Sequence, residues 1–142
     1  MELFKQYLDI AVFGILGIMS FLMIAYVIER MVFFAHVDLD EYDNIYSLQV
    51  ALSNHVTIIG SIAANAPYIG LLGTVFGILI TFHDLSQAEA GLSASAIMLG
   101  LALALKATAA GLAVAVPATL AYNGLIRKVD VLTARWSSQQ EK

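Results

Sequence analysis

Three long apolar segments, at residues 10–34, 56–83 and 94–126, dominate the pattern of hydrophobic and polar positions along the chain. The first reaches Glu29 and Arg30 before meeting a charge, the second has no Asp, Glu, Lys or Arg, and the third has only Lys106. Each exceeds the ~20 residues that an α-helix needs to cross a bilayer. The pattern therefore predicts three transmembrane helices. Because no small-residue cleavage site follows the first segment, we expect a retained helix and not a signal peptide.

The polar stretches around these segments predict a little more helix. In residues 35–55, an acidic cluster of the kind that favours a helix N-terminus is followed by apolar residues at helical spacing. The cluster is Asp38, Asp40, Glu41 and Asp43, and the apolar residues are Tyr42, Ile45, Leu48 and Leu52. Residues 84–93 form a short link. Residues 127–142 contain no Pro or Gly and keep an apolar face, so we expect the third helix to continue beyond the membrane.

The distribution of basic residues predicts the direction of the spans. Five of them mark the side shared by the end of the first segment and the end of the third, whereas Lys5 alone marks the other side; the five are Arg30, Arg127, Lys128, Arg135 and Lys142. The positive-inside rule then places the N-terminus outside and the C-terminus in the cytoplasm.

Composition supports the membrane class and narrows the function. Of 142 residues, 60% are hydrophobic and 13% charged, about half the ~25% charged residues of a soluble domain. A net charge of −4 offers no basic surface for nucleic acid. There is no cysteine, and His36, His55 and His83 lack metal-ligand spacing. No nucleophile–base pair or phosphate loop is recognisable, so we expect neither an enzyme nor a cofactor.

Small residues recur in the second and third segments, as in helices that pack closely in lipid. They include Gly70, Gly73, Gly77 and Gly111, with Pro67 and Pro117 nearby. The motifs are explained by either of two arrangements: tight helix packing within one subunit, or helix packing between subunits. A chain with three spans can hardly enclose a pathway alone, which favours a homo-oligomer.

Lys106 lies near the middle of the third segment, where a charge costs about 2.5–3.5 kcal/mol. The spans contain no Asp or Glu at this depth, so the sequence predicts that Lys106 meets water in a cavity or an acidic residue on another protein. Thr74 and Thr108 are the other deep polar groups. Their spacing alone favours bonds to the carbonyl one turn earlier, with a polar lumen as the alternative.

Two stretches resemble a known family. Residues 66–78 (APYIGLLGTVFGI) and residues 107–112 (ATAAGL), with AVPA at 115–118 and AYN at 121–123, resemble the paired helix signatures of the ExbB/TolQ/MotA proton-channel family, nearest its ExbB branch. The resemblance implies an all-α ring, a pentamer, in the bacterial inner membrane. The ring would surround ExbD-like single-span helices, each with one intramembrane Asp, and would use the proton-motive force to energise a TonB-like protein. It also implies that Thr74 and Thr108 line the lumen.

The chain departs from the family pattern at one position. Most members have a glutamate five residues before the third-helix threonine, where this chain has Leu103, and Lys106 follows three residues later. Three roles for Lys106 are therefore open. It pairs with the Asp of the ExbD-like partner, bonds to a carbonyl oxygen in the lumen, or bonds to a neighbouring subunit. TolQ-like service in the envelope and a passive membrane scaffold remain as alternatives.

Overall fold

The computed structural model describes residues 2–91 and 93–142 and is almost entirely helical. Four α-helices follow one another: α1 (Glu2–His36), α2 (Ile45–Ser53), α3 (Val56–Gln87) and α4 (Ala94–Gln140), with a 3-10 turn at Leu39–Glu41. No strand occurs in these two ranges. The predicted all-α class is confirmed.

Helices α1, α3 and α4 are long and apolar enough to cross a membrane. They contain the three predicted spans, and each is longer than its span. The 47 residues of α4 reach about 70 Å at ~1.5 Å per residue, more than twice the ~30 Å hydrocarbon core. The helix is unbroken from Ser93, which caps it by accepting from the Ala96 amide, to Gln140. Helix α4 therefore continues unbroken past residue 126, and the expectation that this part leaves the membrane stays a prediction.

The interior has two parts. Toward the middle of the spans, α1, α3 and α4 meet through mostly small side chains, including Val12, Ala66, Ala107 and Ala115. Toward the end that carries α2, larger side chains fill the core: Leu48, Leu52, Ile59, Leu132 and Trp136. The outer faces of the long helices are rich in exposed Leu, Ile and Phe, which suits contact with lipid.

The short helix after the first span is present, but it begins later than the acidic cluster suggests. The Asp38 side chain accepts from the Asp40 amide and caps the 3-10 turn, whereas α2 is capped by Asn44, whose Oδ1 accepts from the Ser47 amide at 2.9 Å. Asp side chains compete for nearby amides in turns, which explains the displacement. Leu48 and Leu52 are fully buried beneath α2, as their spacing predicts.

Arg30 fastens α2 to the end of α1. Its side chain is buried, donates to the carbonyl oxygens of Ala51 (2.7 Å) and Leu52 (3.3 Å), and pairs through two nitrogens with the Glu29 carboxylate. The last carbonyls of a helix lack internal partners and carry partial negative charge. Arg30 therefore satisfies the C-terminus of α2, and its guanidinium also lies 4.3 Å from the ring centre of Phe33.

Candidate functional site

Helices α3 and α4 approach each other very closely at Gly70 and Gly111. A Cβ atom on Gly70 would lie 2.6 Å from the Ala107 carbonyl oxygen and 3.0 Å from the Gly111 Cα atom. A Cβ atom on Gly111 would lie 2.7 Å from the Ala66 carbonyl oxygen. The two backbones touch here, so a side chain at either position would force the helices apart.

Two further glycines of α3 face alanines of α4. An added Cβ would lie 2.7 Å from the Ala107 Cβ at Gly73 and 2.7 Å from the Ala104 Cβ at Gly77. The structure thus places all four glycines of the sequence motifs on contacts within one subunit. Packing between subunits through these motifs stays a prediction.

Thr74 and Thr108 lie beside the glycine contact and their hydroxyl groups are hydrogen-bonded to each other. The Thr74 hydroxyl is also 2.9 Å from the Ala104 carbonyl oxygen and 3.4 Å from that of Gly70. A single proton chain satisfies this geometry: Thr108 donates to Thr74, and Thr74 donates across the helix pair to Ala104. Thr74 is buried, whereas Thr108 is half-buried at the α3–α4 seam. The pair is polar, uncharged and partly accessible.

Lys106 lies apart from the two threonines. Two residues along an α-helix correspond to a rotation of about 200°, so Lys106 and Thr108 point to nearly opposite sides of α4. Lys106 is exposed, and across residues 2–91 and 93–142 it makes no salt bridge. Leu103, at the position of the family glutamate, is also exposed and lies one turn earlier. The structure therefore brings Thr74 and Thr108 together and places Lys106 on the outer face of α4.

The two prolines occupy different surroundings. Pro67, inside α3, lines a shallow apolar cavity of about 310 Å³ together with Leu112 and Val116 of α4. Pro117 is exposed on α4. Both lie inside continuous helices, where proline removes one backbone donor.

Sequence reasoning overlooked two similar close contacts near the ends of the α3–α4 pair. A Cβ on Gly60 would meet the Tyr122 ring at 2.7 Å, and one on Gly100 would meet the Thr81 hydroxyl at 2.6 Å. The signal was available, since Gly100 continues the small-residue spacing of Ala104, Ala107 and Gly111 by one turn. The α3–α4 contact is therefore longer than the two motifs suggested.

Comparison with known proteins matches the sequence of this chain to one family. The profile of the MotA/TolQ/ExbB proton channel family matches residues 40–138. The chain is 51% identical over 136 residues to a biopolymer transport protein ExbB of Helicobacter pylori, covering 96% of this chain and 93% of that protein. It is 42% identical over 138 residues to an ExbB of Aquifex aeolicus, covering 97% and 93%.

A more distant similarity covers only part of the chain. A Tol-Pal system protein TolQ of Haemophilus influenzae is 43% identical over 82 residues, or 58% of this chain and 36% of that protein. This alignment is much shorter than the nearly complete alignments to the two ExbB proteins. All three relatives are named ExbB or TolQ, and both names belong to the same family. The chain has three apolar helices, a glycine-packed α3–α4 pair and a threonine pair at the seam of that pair. It belongs to the MotA/TolQ/ExbB proton channel family.

Proposed function

We propose that this protein is the ring-forming subunit of an ExbB-type proton channel in the bacterial inner membrane. In this proposal several copies surround a single-span partner of the ExbD type, and proton flow energises a TonB-type protein for import across the outer membrane. The observation that carries the proposal is the Thr74–Thr108 pair, fixed at the α3–α4 seam by backbone contact between two glycines. The nearly full-length similarity to ExbB proteins supports it.

The threonine pair suits a partner carboxylate that gains and loses a proton. The Thr108 hydroxyl accepts from a carboxylic acid while it donates to Thr74, and it donates to a carboxylate by turning its proton away from Thr74, so it interacts with both states. A fixed cation would instead favour the charged state and lower the carboxyl pKa. If the α3–α4 seams face the centre of the ring, each subunit presents one such pair to the enclosed helix. The half-buried Thr108 is then the hydroxyl nearer the lumen.

The second part of the proposal concerns direction and Lys106. The positive-inside rule places the N-terminus in the periplasm and α2 with the end of α4 in the cytoplasm. Because Lys106 points away from the threonine seam, a ring with the seams inward turns it toward the boundary with the next subunit. There its ammonium reaches water between subunits or a polar group of the neighbouring subunit, and the cost of placing it in hydrocarbon is avoided.

The direct test replaces the chromosomal gene with Thr108→Val and Thr74→Val variants and measures uptake of a ferric chelate that requires the proton-motive force. We expect uptake to fall at least about tenfold, with the variants present in the membrane in normal amounts. Thr119→Val is the matched control, because the Thr119 hydroxyl bonds to the Ala115 carbonyl one turn earlier on its own helix and makes no bond across to α3 in the described residues. Normal uptake in both seam variants would refute the role of the pair.

Deletion of the gene and a proton-transport assay in vesicles separate the alternatives. For ExbB-type service, we expect the deletion to abolish chelate uptake and to leave resistance to detergent unchanged. Detergent sensitivity with normal uptake would indicate TolQ-like service. An assembled complex that fails to carry protons in vesicles, with the partner present, would indicate a passive scaffold.

A further inference from the structure

Helix α2 presents an apolar face that the subunit itself leaves uncovered. Tyr46 and Val50, one turn apart, are 77% and 72% exposed, and Gln49 and Ser53 lie on the same side. Unlike the exposed side chains of α1, α3 and α4, these lie on a helix too short to span the bilayer. Aromatic and aliphatic side chains that project together into water are typical of an interaction surface.

The orientation of this face is rigidly determined. Leu48 and Leu52, on the opposite side of α2, are fully buried against the core, and Arg30 bonds to the carbonyls at the end of the helix. The Trp136 indole of α4 donates to the Tyr42 carbonyl at 3.1 Å just before α2 begins. The outer face of α2 therefore has a fixed orientation within the single subunit.

A second surface lies on the part of α4 beyond the membrane. Six residues at intervals of three and four form one stripe along the helix and border a shallow groove of about 410 Å³: Arg127, Asp130, Val131, Ala134, Arg135 and Ser138. The stripe lies on the far side of α4 from Leu132 and Trp136, which pack toward α2. Ala134 at its centre leaves room for a side chain of another helix.

The two surfaces cannot meet within one subunit. Helix α2 and α4 pack through their inner faces, so the Tyr46–Val50 face and the Arg127–Ser138 stripe point away from each other on opposite sides of that contact. Two different patches that face apart on one chain are the requirement for a heterologous, head-to-tail contact, and such a contact forms a ring when its rotation closes.

Charge favours the same pairing. The turn that leads into α2 has four exposed carboxylates, Asp38, Asp40, Glu41 and Asp43, and no Lys or Arg lies between Met31 and Leu105. The stripe has two guanidinium groups and one carboxylate, Asp130, with Lys128 beside it. An acidic approach to α2 and a net basic stripe on α4 complement each other across an interface.

We propose that the Tyr46–Val50 face of α2 docks on the Arg127–Ser138 stripe of a second copy of this chain, and that repetition of this contact closes the cytoplasmic end of the ring. The inference rests on the ring assembly of the proposed function and adds the surface that joins neighbouring subunits. Tyr46 and Val50 would sit against Val131 and Ala134, with the acidic turn near Arg127 or Arg135.

The native chain has no cysteine, so paired cysteines test the contact directly. In membranes, the double variant Tyr46→Cys with Ala134→Cys should form, on mild oxidation, a ladder of crosslinked species from dimer upward. The matched control is Ser47→Cys with Ala134→Cys, because Ser47 is exposed on the same helix but about 100° away from Tyr46. We expect at least tenfold less crosslinking in the control.

Other outcomes would overturn the proposal. Dimers from Tyr46→Cys alone, without a ladder from the pair, would indicate a two-fold contact between α2 helices. Equal crosslinking in the control pair would indicate random collision. A native gel on the same membranes separates the two proposals: oligomers without the specific ladder refute this interface alone, and monomers refute the ring of the proposed function.

Charge exchange provides a second, independent measurement. Arg127→Glu with Arg135→Glu should lower the ladder yield about tenfold, since two exposed attractions become repulsions. Adding Asp40→Lys and Asp43→Lys should restore most of that yield. Failure of the lysine substitutions to restore it, with the four-residue variant folded and inserted, would contradict the assigned charge pairing.

Discussion

The two ends of this helical bundle are held together in different ways. In the membrane half, α3 and α4 approach until backbone meets backbone at Gly70 and Gly111. Among the residues that the structure describes, the side-chain hydrogen bonds across the pair all involve Thr74. In the half that carries α2, bulky Leu48, Leu52 and Trp136 fill the core, and buried Arg30 joins two helices.

The difference follows from the solvent. Lipid is as apolar as leucine, so burying large side chains favours no particular pairing in the membrane, and close backbone contact provides the attraction. Near water, removing apolar area is worth about 25 cal/mol per Å², so large side chains become effective. The same chain therefore uses small residues in one half and large ones in the other. The following variants test that contrast.

The largest effect is expected where the backbones touch. Gly70→Leu should destabilise the protein by more than about 3 kcal/mol, because the Ala107 carbonyl oxygen leaves no space for even a Cβ. Gly17→Leu is the control in the membrane, since a Cβ there meets nothing within 4 Å. Denaturant midpoints followed by fluorescence of the single Trp measure both. Equal midpoints would contradict the assigned helix contact.

The next effect concerns the joint between α1 and α2. Arg30→Met removes a buried cation and leaves the Ala51 and Leu52 carbonyls without their donor, so we expect a loss of about 2 kcal/mol. Hydrogen exchange should accelerate in α2 while the middle of α3 stays protected. Arg30→Lys should recover part of the loss. Unchanged exchange in α2 for the methionine variant would show that the leucine core alone holds that helix.

A smaller effect is expected where α4 contacts the turn before α2, in the half of the bundle that carries α2. Trp136→Phe keeps most of the buried area but removes the hydrogen bond to the Tyr42 carbonyl, which should cost about 1 kcal/mol. Thermal unfolding followed by circular dichroism measures it, because the variant has no tryptophan fluorescence. A loss as large as that of Gly70→Leu would contradict the contrast between the two halves.

The smallest effect on stability is expected for the lone charge in the membrane half. Lys106→Met should leave the amount of assembled complex unchanged, because Lys106 is exposed and makes no salt bridge in the described parts of the subunit. Chelate uptake should nevertheless fall, because methionine removes the ammonium from the proposed boundary with the next subunit. Lys106→Arg, which keeps the charge, is the control. Full uptake with methionine would remove Lys106 from the mechanism.

The sequence by itself determined the number of long helices, the continuation of the third past residue 126 and the burial of Leu48 and Leu52. Each depends on periodicity and hydropathy, which are local properties. It also predicted the small-residue surfaces of α3 and α4, because glycine spacing is visible along a single helix.

Tertiary structure alone decided what those surfaces touch. The bond of Thr74 to Ala104 and the donation of Arg30 to Ala51 join residues 30 and 21 positions apart, and no spacing along one helix specifies such pairs. The separation of Lys106 from the threonine seam likewise emerged only once the inner face of α4 was known. Helical periodicity states which residues share a face, but the neighbour of that face depends on how the helices rotate and pack against one another.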